Sequence, residues 1–407
     1  MANTLNLGNG DWATKENSLL GYNSESGNYK PLPFDFTRAS SATVVNKSGL
    51  IETVQSGIPR IDFLGNTSGA LLLEPQRTNL IPYSDRFNSP PFWSQVALTV
   101  SNNATISPDG TLNASKITRT STSGNARLVH SSVAVSSGAK ATLSAFFKYN
   151  DTDEIILFSP ITLQGKRFSL QNATAGADFV SAPDGYGIEN YGNGWYRFYI
   201  VVTAPSTSVD FTIYVQNNAT TSIYLFGAQI EQGSYSTSLI NTQGSAVTRV
   251  ADEKTNVSLP SNIAPQSEGT IFFNINRKGS TGVTNQELIV LETPSRADGG
   301  LIRVLTQSTK NVIRVLFQID GGIPFDVNVL GANTPFNTDL KIAIAFKSGQ
   351  NAIYINGIET NTGTGTFTIP EKFDNFYLNF SREASTFKDV RLYNTRLSNS
   401  ELAALTS

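Results

Sequence analysis

Apolar residues along most of this chain fall in short runs, many alternating with polar ones, and Gly, Asn, Asp, Pro and Ser punctuate them. A period of two places successive side chains on opposite faces of a pleated strand. Between residues 85 and 245 the pattern predicts strands over Leu98–Val100, Ala126–Val135, Ala141–Lys148, Glu154–Phe158, Trp195–Thr203, Val209–Val215 and Ser222–Glu231. Turn signals such as Pro108-Asp109-Gly110 and Gly192-Asn193-Gly194 lie between such runs. A second set of runs starts at Gly269, where Asn356-Gly357 in "YINGIE" is the signature of a two-residue hairpin turn. Only the last residues read as helix: Ser398 stands three positions before Glu401, which is a capping box.

This pattern predicts an all-β chain: two antiparallel β-sandwich (jelly-roll) domains in tandem behind an extended N-terminal arm. Residues 1–35 are rich in Gly and Asn and poor in apolar runs. They read as the arm, disordered alone or folding on a partner. Residues 36–84 alternate short strands with turns and read as a β-rich connector. The sandwiches are then expected over 85–248 and 249–407, joined by the polar stretch "TQGSAVTRVADE".

Composition narrows the function. Charged residues are 15% of 407, and the formal net charge is −2, so no global field draws the chain to nucleic acid or an anionic membrane. No apolar stretch is long enough to span a bilayer. The opening Met1-Ala2-Asn3-Thr4 has neither the basic nor the apolar part of a secretion signal. Cysteine is absent, which rules out disulfides and thiolate sites and fits synthesis in a cytosol.

Catalytic equipment is scarce. His130 is the one histidine, and a metal site or triad needs partners it lacks. Carboxylates are scattered, with no pair singled out by spacing for glycoside cleavage. Nothing in the sequence calls for a catalytic residue or an obligatory cofactor. Sugar binding is the sharper expectation, since aromatic rings stack on the apolar faces of sugars while amides and carboxylates bond the hydroxyls. The candidates are Tyr149, Tyr186, Tyr191 and Tyr196, with Trp93 weighed beside them and read as a packing residue. Trp195 alternates with Arg197 and Tyr199, so Tyr196, Phe198 and Ile200 share the opposite face, and one of the two faces is core. Asp151, Asp153 and Glu154 in "YNDTDE" form a candidate calcium loop, weighed against an ordinary solvated turn.

Five stretches carry family resemblances. "FDFTRASSATVVNKSGLIETVQSGIPRIDF" and "GALLLEPQRTNLIPYSDRF" resemble a block found in phage head-fibre and tail-fibre proteins. "YGNGWYRF" with "YLFGAQIEQGSYSTSLINTQGSAVTR" resembles a carbohydrate-binding-module-like jelly roll, and "FKDVRLYNTRLSNSELAALT" a concanavalin/laminin-G-like sandwich. The resemblance implies a virion protein made in the host cytoplasm, attached to capsid or tail proteins through its arm. The same resemblance implies Trp12 as the anchor candidate, a homotrimer as the expected assembly, and sandwiches that face a host-surface glycan. A tailspike-type depolymerase with binding modules and a decoration protein without a ligand are the alternatives.

Overall fold

The computed structural model of the protein describes residues 4–8, 12–15, 18–24, 27–29, 33–88, 90–122, 124–216, 220–253, 255–259, 261–279, 286–296, 299–306, 312–329, 336–378 and 384–407. Regular structure in these residues is antiparallel strand, apart from the helix Asn399–Thr406. The Ser398 side chain and Glu401 cap that helix reciprocally, as the spacing predicts. The chain divides into two units. A middle sandwich is built from Ala42–Thr53 and Arg77–Arg249, and a C-terminal sandwich from Met1–Ser41, Val54–Gln76 and Val250–Ser407.

The middle sandwich has two six-stranded sheets. The first runs Leu98–Ile106, Leu112–Arg119, Ser222–Gln232, Lys140–Tyr149, Trp195–Thr203, Gly185–Asn190 in spatial order. The second runs Trp93–Val96, Arg127–Ala134, Ser208–Gln216, Glu154–Ser159, Gln164–Ser169, Thr174–Asp178. Leu143, Ala145, Phe147, Phe198 and Ile200 of the first sheet meet Ile155, Leu157, Ile213 and Val215 of the second. The parity question at Trp195 is thereby answered: the face of Phe198 and Ile200 is core. The opposite face of that sheet is covered as well. Arg197, fully buried there, donates to the Thr237 backbone oxygen and, at 2.9 Å, to Ser144 Oγ. Glu231 accepts from Thr237 N at 2.9 Å and Thr237 Oγ1 at 2.6 Å. Burial on both faces explains why "KATLSAFFKY" shows little alternation.

The C-terminal sandwich pairs a nine-stranded with a six-stranded sheet. Ile271, Phe273 and Ile275 of Glu268–Arg277 pack with Ile289, Leu291, Ile302, Val304 and Phe317 from the opposing sheet. The terminal helix sets Leu402 against Phe272, Ala343 and Tyr354 on the outward side of the larger sheet.

The structure differs from the sequence reading in how residues 1–84 are used. Strand Thr4–Gly8 is not part of an extended arm; it pairs along Ser385–Tyr393 in the larger C-terminal sheet. Leu5 and Leu7, each 1% exposed, enter the core of that sandwich. Nor does the connector form one block. Its hairpin Ala42–Val45/Ile51–Val54 goes largely to the middle sandwich, while Arg60–Asp62 and Ala70–Leu73 extend the C-terminal sheet beside Ser385–Tyr393. Thr4–Gly8 and Ala70–Leu73 pair with a strand hundreds of residues away, and local patterning carries no record of those pairings.

A buried ion network joins Arg38, Arg60, Glu74 and Asp252 within the C-terminal sandwich. Asp252 takes Arg38 Nη1 at 3.0 Å on one oxygen and Arg60 Nη2 at 2.5 Å on the other. Arg60 Nη1 reaches Glu74 at 2.8 Å, and the Glu74 backbone N–H donates to Asp252 at 2.7 Å. The flanking carboxylates more than offset the cost of burying Arg60 and raise its pKa.

Candidate binding surface

The second sheet of the middle sandwich carries an aromatic cluster on its outward face. Ile155 and Leu157 point into the core, so Ile156 and Phe158 between and beyond them point out. In the ladder Ile156 lies opposite Tyr214, and Phe158 opposite Thr212. Phe179, just after Thr174–Asp178, completes the group. Its ring stands nearly perpendicular to Phe158 at 5.0 Å between centroids and 5.5 Å from Tyr214. Gly165 faces Phe158 across the ladder, and a Cβ there would lie 2.8 Å from the Phe158 ring. A side chain at that position would displace the ring.

Charge borders the cluster. The Arg167 guanidinium sits 5.4 Å from the Phe179 centroid and pairs with Glu154 at 2.5 Å. Arg127 lies 5.9 Å from the Tyr214 ring. Phe179, Tyr214 and both arginines are part-exposed. Rings with apolar area, edged by guanidinium and carboxylate groups, suit a polyhydroxylated ligand that has both C–H faces and hydroxyls. Sequence reasoning missed this cluster. The available signal was "EIILFS", whose unbroken apolar run implies two apolar faces where a one-sided strand would alternate.

The tyrosines singled out from sequence do not form one site. Tyr186 is 50% exposed on the edge strand Gly185–Asn190, with the Lys166 ammonium 4.6 Å from its ring centroid and Asp178 bonded to that lysine at 2.8 Å. Tyr149 is also exposed, at the end of its strand and with the parity of Phe147. Tyr196 packs against the core beside Phe198. Tyr191 is buried edge-on against Phe146, 4.7 Å between centroids. Trp93 is buried, donating to the Tyr83 carbonyl oxygen at 3.2 Å. Trp12, the expected anchor, is used within the chain: its indole N–H donates to Gly69 O at 3.1 Å, and its ring packs on the C-terminal core.

The acidic loop is likewise drawn apart. Asp151 accepts from Ser222, Asp153 from Ser169 Oγ at 2.8 Å and Gln171 N at 2.7 Å, and Glu154 holds Arg167. Among the described residues no group of three or more His, Asp or Glu side chains is placed to hold a metal ion.

His130 is 1% exposed, edge-on to Trp93 at 4.9 Å, with Nδ1 2.7 Å from Ser131 O. Its Nε2 is buried without a hydrogen-bond partner among the described residues. Burial lowers its pKa, against the opposing pull of the Ser131 oxygen. The unfolded chain therefore takes up a proton near pH ~6.5 that the folded chain refuses. The stabilisation is complete above that pH and is lost as pH falls, by at most ~1.4 kcal/mol per pH unit. Urea midpoints between pH 7 and 5 should decline less steeply in His130→Leu than in the parent; equal slopes would refute the assignment.

No protein-family model matches the chain, and no curated protein matches it. Similar solved structures include carbohydrate-binding modules and toxin binding domains. One is the CBM40 module of the Ruminococcus gnavus IT-sialidase bound to α2,3-sialyllactose, at 16% identity, covering 38% of this chain and 94% of that one, with a TM-score of 0.31. Another is domain 4 of an extracellular arabinanase from Geobacillus stearothermophilus in complex with arabinotriose, at 16% identity, 38% and 73% coverage, and a TM-score of 0.30. The binding domain of botulinum neurotoxin serotype G is similar at 14% identity, 38% and 40% coverage, and a TM-score of 0.32. Superpositions this partial leave the ligand to be argued from the chain's own residues.

Proposed function

We propose that the protein is a non-enzymatic glycan-binding component of a phage virion. The observation that carries the binding half is the outward cluster of Phe158, Phe179 and Tyr214, edged by Arg127, Arg167 and Glu154. A sugar ring lies against the aromatic side chains, and the charged groups bond its hydroxyls. The virion half rests on the resemblance of the Arg38–Thr43 and Leu72–Leu80 stretches to phage head-fibre and tail-fibre proteins. Attachment to other virion proteins then uses a folded surface of the C-terminal sandwich, into which Thr4–Gly8 is built, rather than a loose arm. Assembly as a homotrimer multiplies weak single-site contacts by avidity.

A glycan array probed with the multimerised protein tests the reading. Retained glycans should bind the double variant Phe179→Ala/Tyr214→Ala at least ~10-fold more weakly, a loss of ~1.4 kcal/mol, with the parental far-UV circular dichroism showing that the fold is kept. Absence of any bound glycan at high valency would leave a decoration protein. Release of reducing ends from host polysaccharide by the purified protein would overturn the non-enzymatic assignment. Antibody labelling of particles in the electron microscope tests the virion location, and labelling of neither capsid nor tail would overturn it.

A further inference from the structure

The outward face of the larger C-terminal sheet holds a pocket of ≈ 240 Å³ beside the terminal helix. Cross-strand register builds it. Lys341, Asn274 and Asp389 lie in one row across three strands, and Phe272 with Arg391 occupies the next row. Their chain neighbours Ile342, Ile275, Phe273, Val390 and Leu392 are core residues, so this row faces away from the core. Lys388, at the irregularity where Asn274 gives way to Ile275 in the pairing, also reaches the lining.

Three cations and one carboxylate therefore line the hollow. Asp389 is spanned by Arg391, with 3.1 Å from Nε and 2.7 Å from Nη2, and that guanidinium lies 5.6 Å from the Phe272 centroid. Lys341 contacts the Ser407 backbone oxygen and Lys388 contacts Asp339, which leaves ammonium protons on both for a further acceptor. Asn274 Oδ1 is buried with no hydrogen-bond partner among the described residues. A buried acceptor of this kind costs free energy until a donor reaches it. The pocket thus offers cations for a carboxylate, an acceptor for a hydroxyl and one aromatic wall.

We infer that this pocket binds a small carboxylated polyol, of the sugar-acid class, with its carboxylate on Lys341 and Lys388 and a hydroxyl donated to Asn274 Oδ1. The site belongs to the other unit from the Phe179–Tyr214 face and stands independently of it. Calorimetry on the full chain with D-glucuronate, D-glucose and inorganic phosphate tests it. Glucuronate should bind at least ~10-fold more tightly than either of the others, since each lacks one half of the recognised chemistry. Lys388→Gln should weaken glucuronate at least ~10-fold, and Asn274→Leu should do the same. Phe179→Ala/Tyr214→Ala should leave glucuronate unaffected while impairing the glycan array. Equal binding of glucose, equal binding of phosphate, or insensitivity to Lys388→Gln would each overturn the assignment. Circular dichroism on each variant distinguishes lost binding from lost fold.

Discussion

Replacing Asp252 with alanine should destabilise the C-terminal sandwich by about 3–5 kcal/mol, the range for breaking a buried ion pair from one side. Two guanidinium groups, Arg38 Nη1 at 3.0 Å and Arg60 Nη2 at 2.5 Å, would lose their carboxylate at once. The Glu74 N–H, 2.7 Å from the same side chain, would lose its acceptor. Arg38 would keep its bonds to the backbone oxygens of Ser40 and Gln55, at 2.8 and 2.7 Å, and so could not turn out to water without breaking them. Both side chains are fully enclosed, so solvent cannot take over. Asp252→Asn, which keeps shape and one acceptor but removes the charge, should fall between parent and alanine. Urea unfolding followed by tryptophan fluorescence and by proteolysis of the C-terminal sandwich measures the effect. A loss below about 1 kcal/mol, as for an exposed pair, would refute the network's role.

The second large effect concerns the first strand. Leu7→Ala should cost about 2–5 kcal/mol, because a buried leucine loses its transfer free energy and leaves a cavity. Leu7 lies opposite Val390, and Leu5 opposite Leu392, inside the core of the C-terminal sandwich. Removing residues 1–8 should do more. It would strip a strand from one side of Ser385–Tyr393 and leave an unpaired edge, which templates association with other chains. Truncated protein should therefore unfold at lower urea and elute as larger species in size-exclusion chromatography. A truncation with the parental stability and the parental elution volume would restore the free-arm reading.

Much of the strand content could be read from the chain. Alternation located Trp195–Thr203, which forms over those same residues, and the Ser398–Glu401 spacing located the helix. Strand parity also narrowed Tyr196 to a face shared with Phe198, which proved to be core. The candidate site was less legible. Of the tyrosines chosen by type, Tyr191 is buried against Phe146 while Tyr186 is half exposed, and nothing local separates them. Phe158, Phe179 and Tyr214 come from three separate strands or turns, so their meeting is a product of sheet order.

Arg38, Glu74 and Asn79 show where the division lies. From the chain alone one reads that these polar residues sit among short β-runs bounded by turn residues. It takes the folded chain to show that Arg38 and Glu74 belong to the C-terminal sandwich's ion network, while Asn79 is buried in the middle sandwich, donating to the Ala228 and Ile240 oxygens. Periodicity is a property of neighbours in the chain and records which face a residue takes. Which strand lies on the other side of that face is settled by long-range pairing and burial, and those involve residues that no local pattern connects.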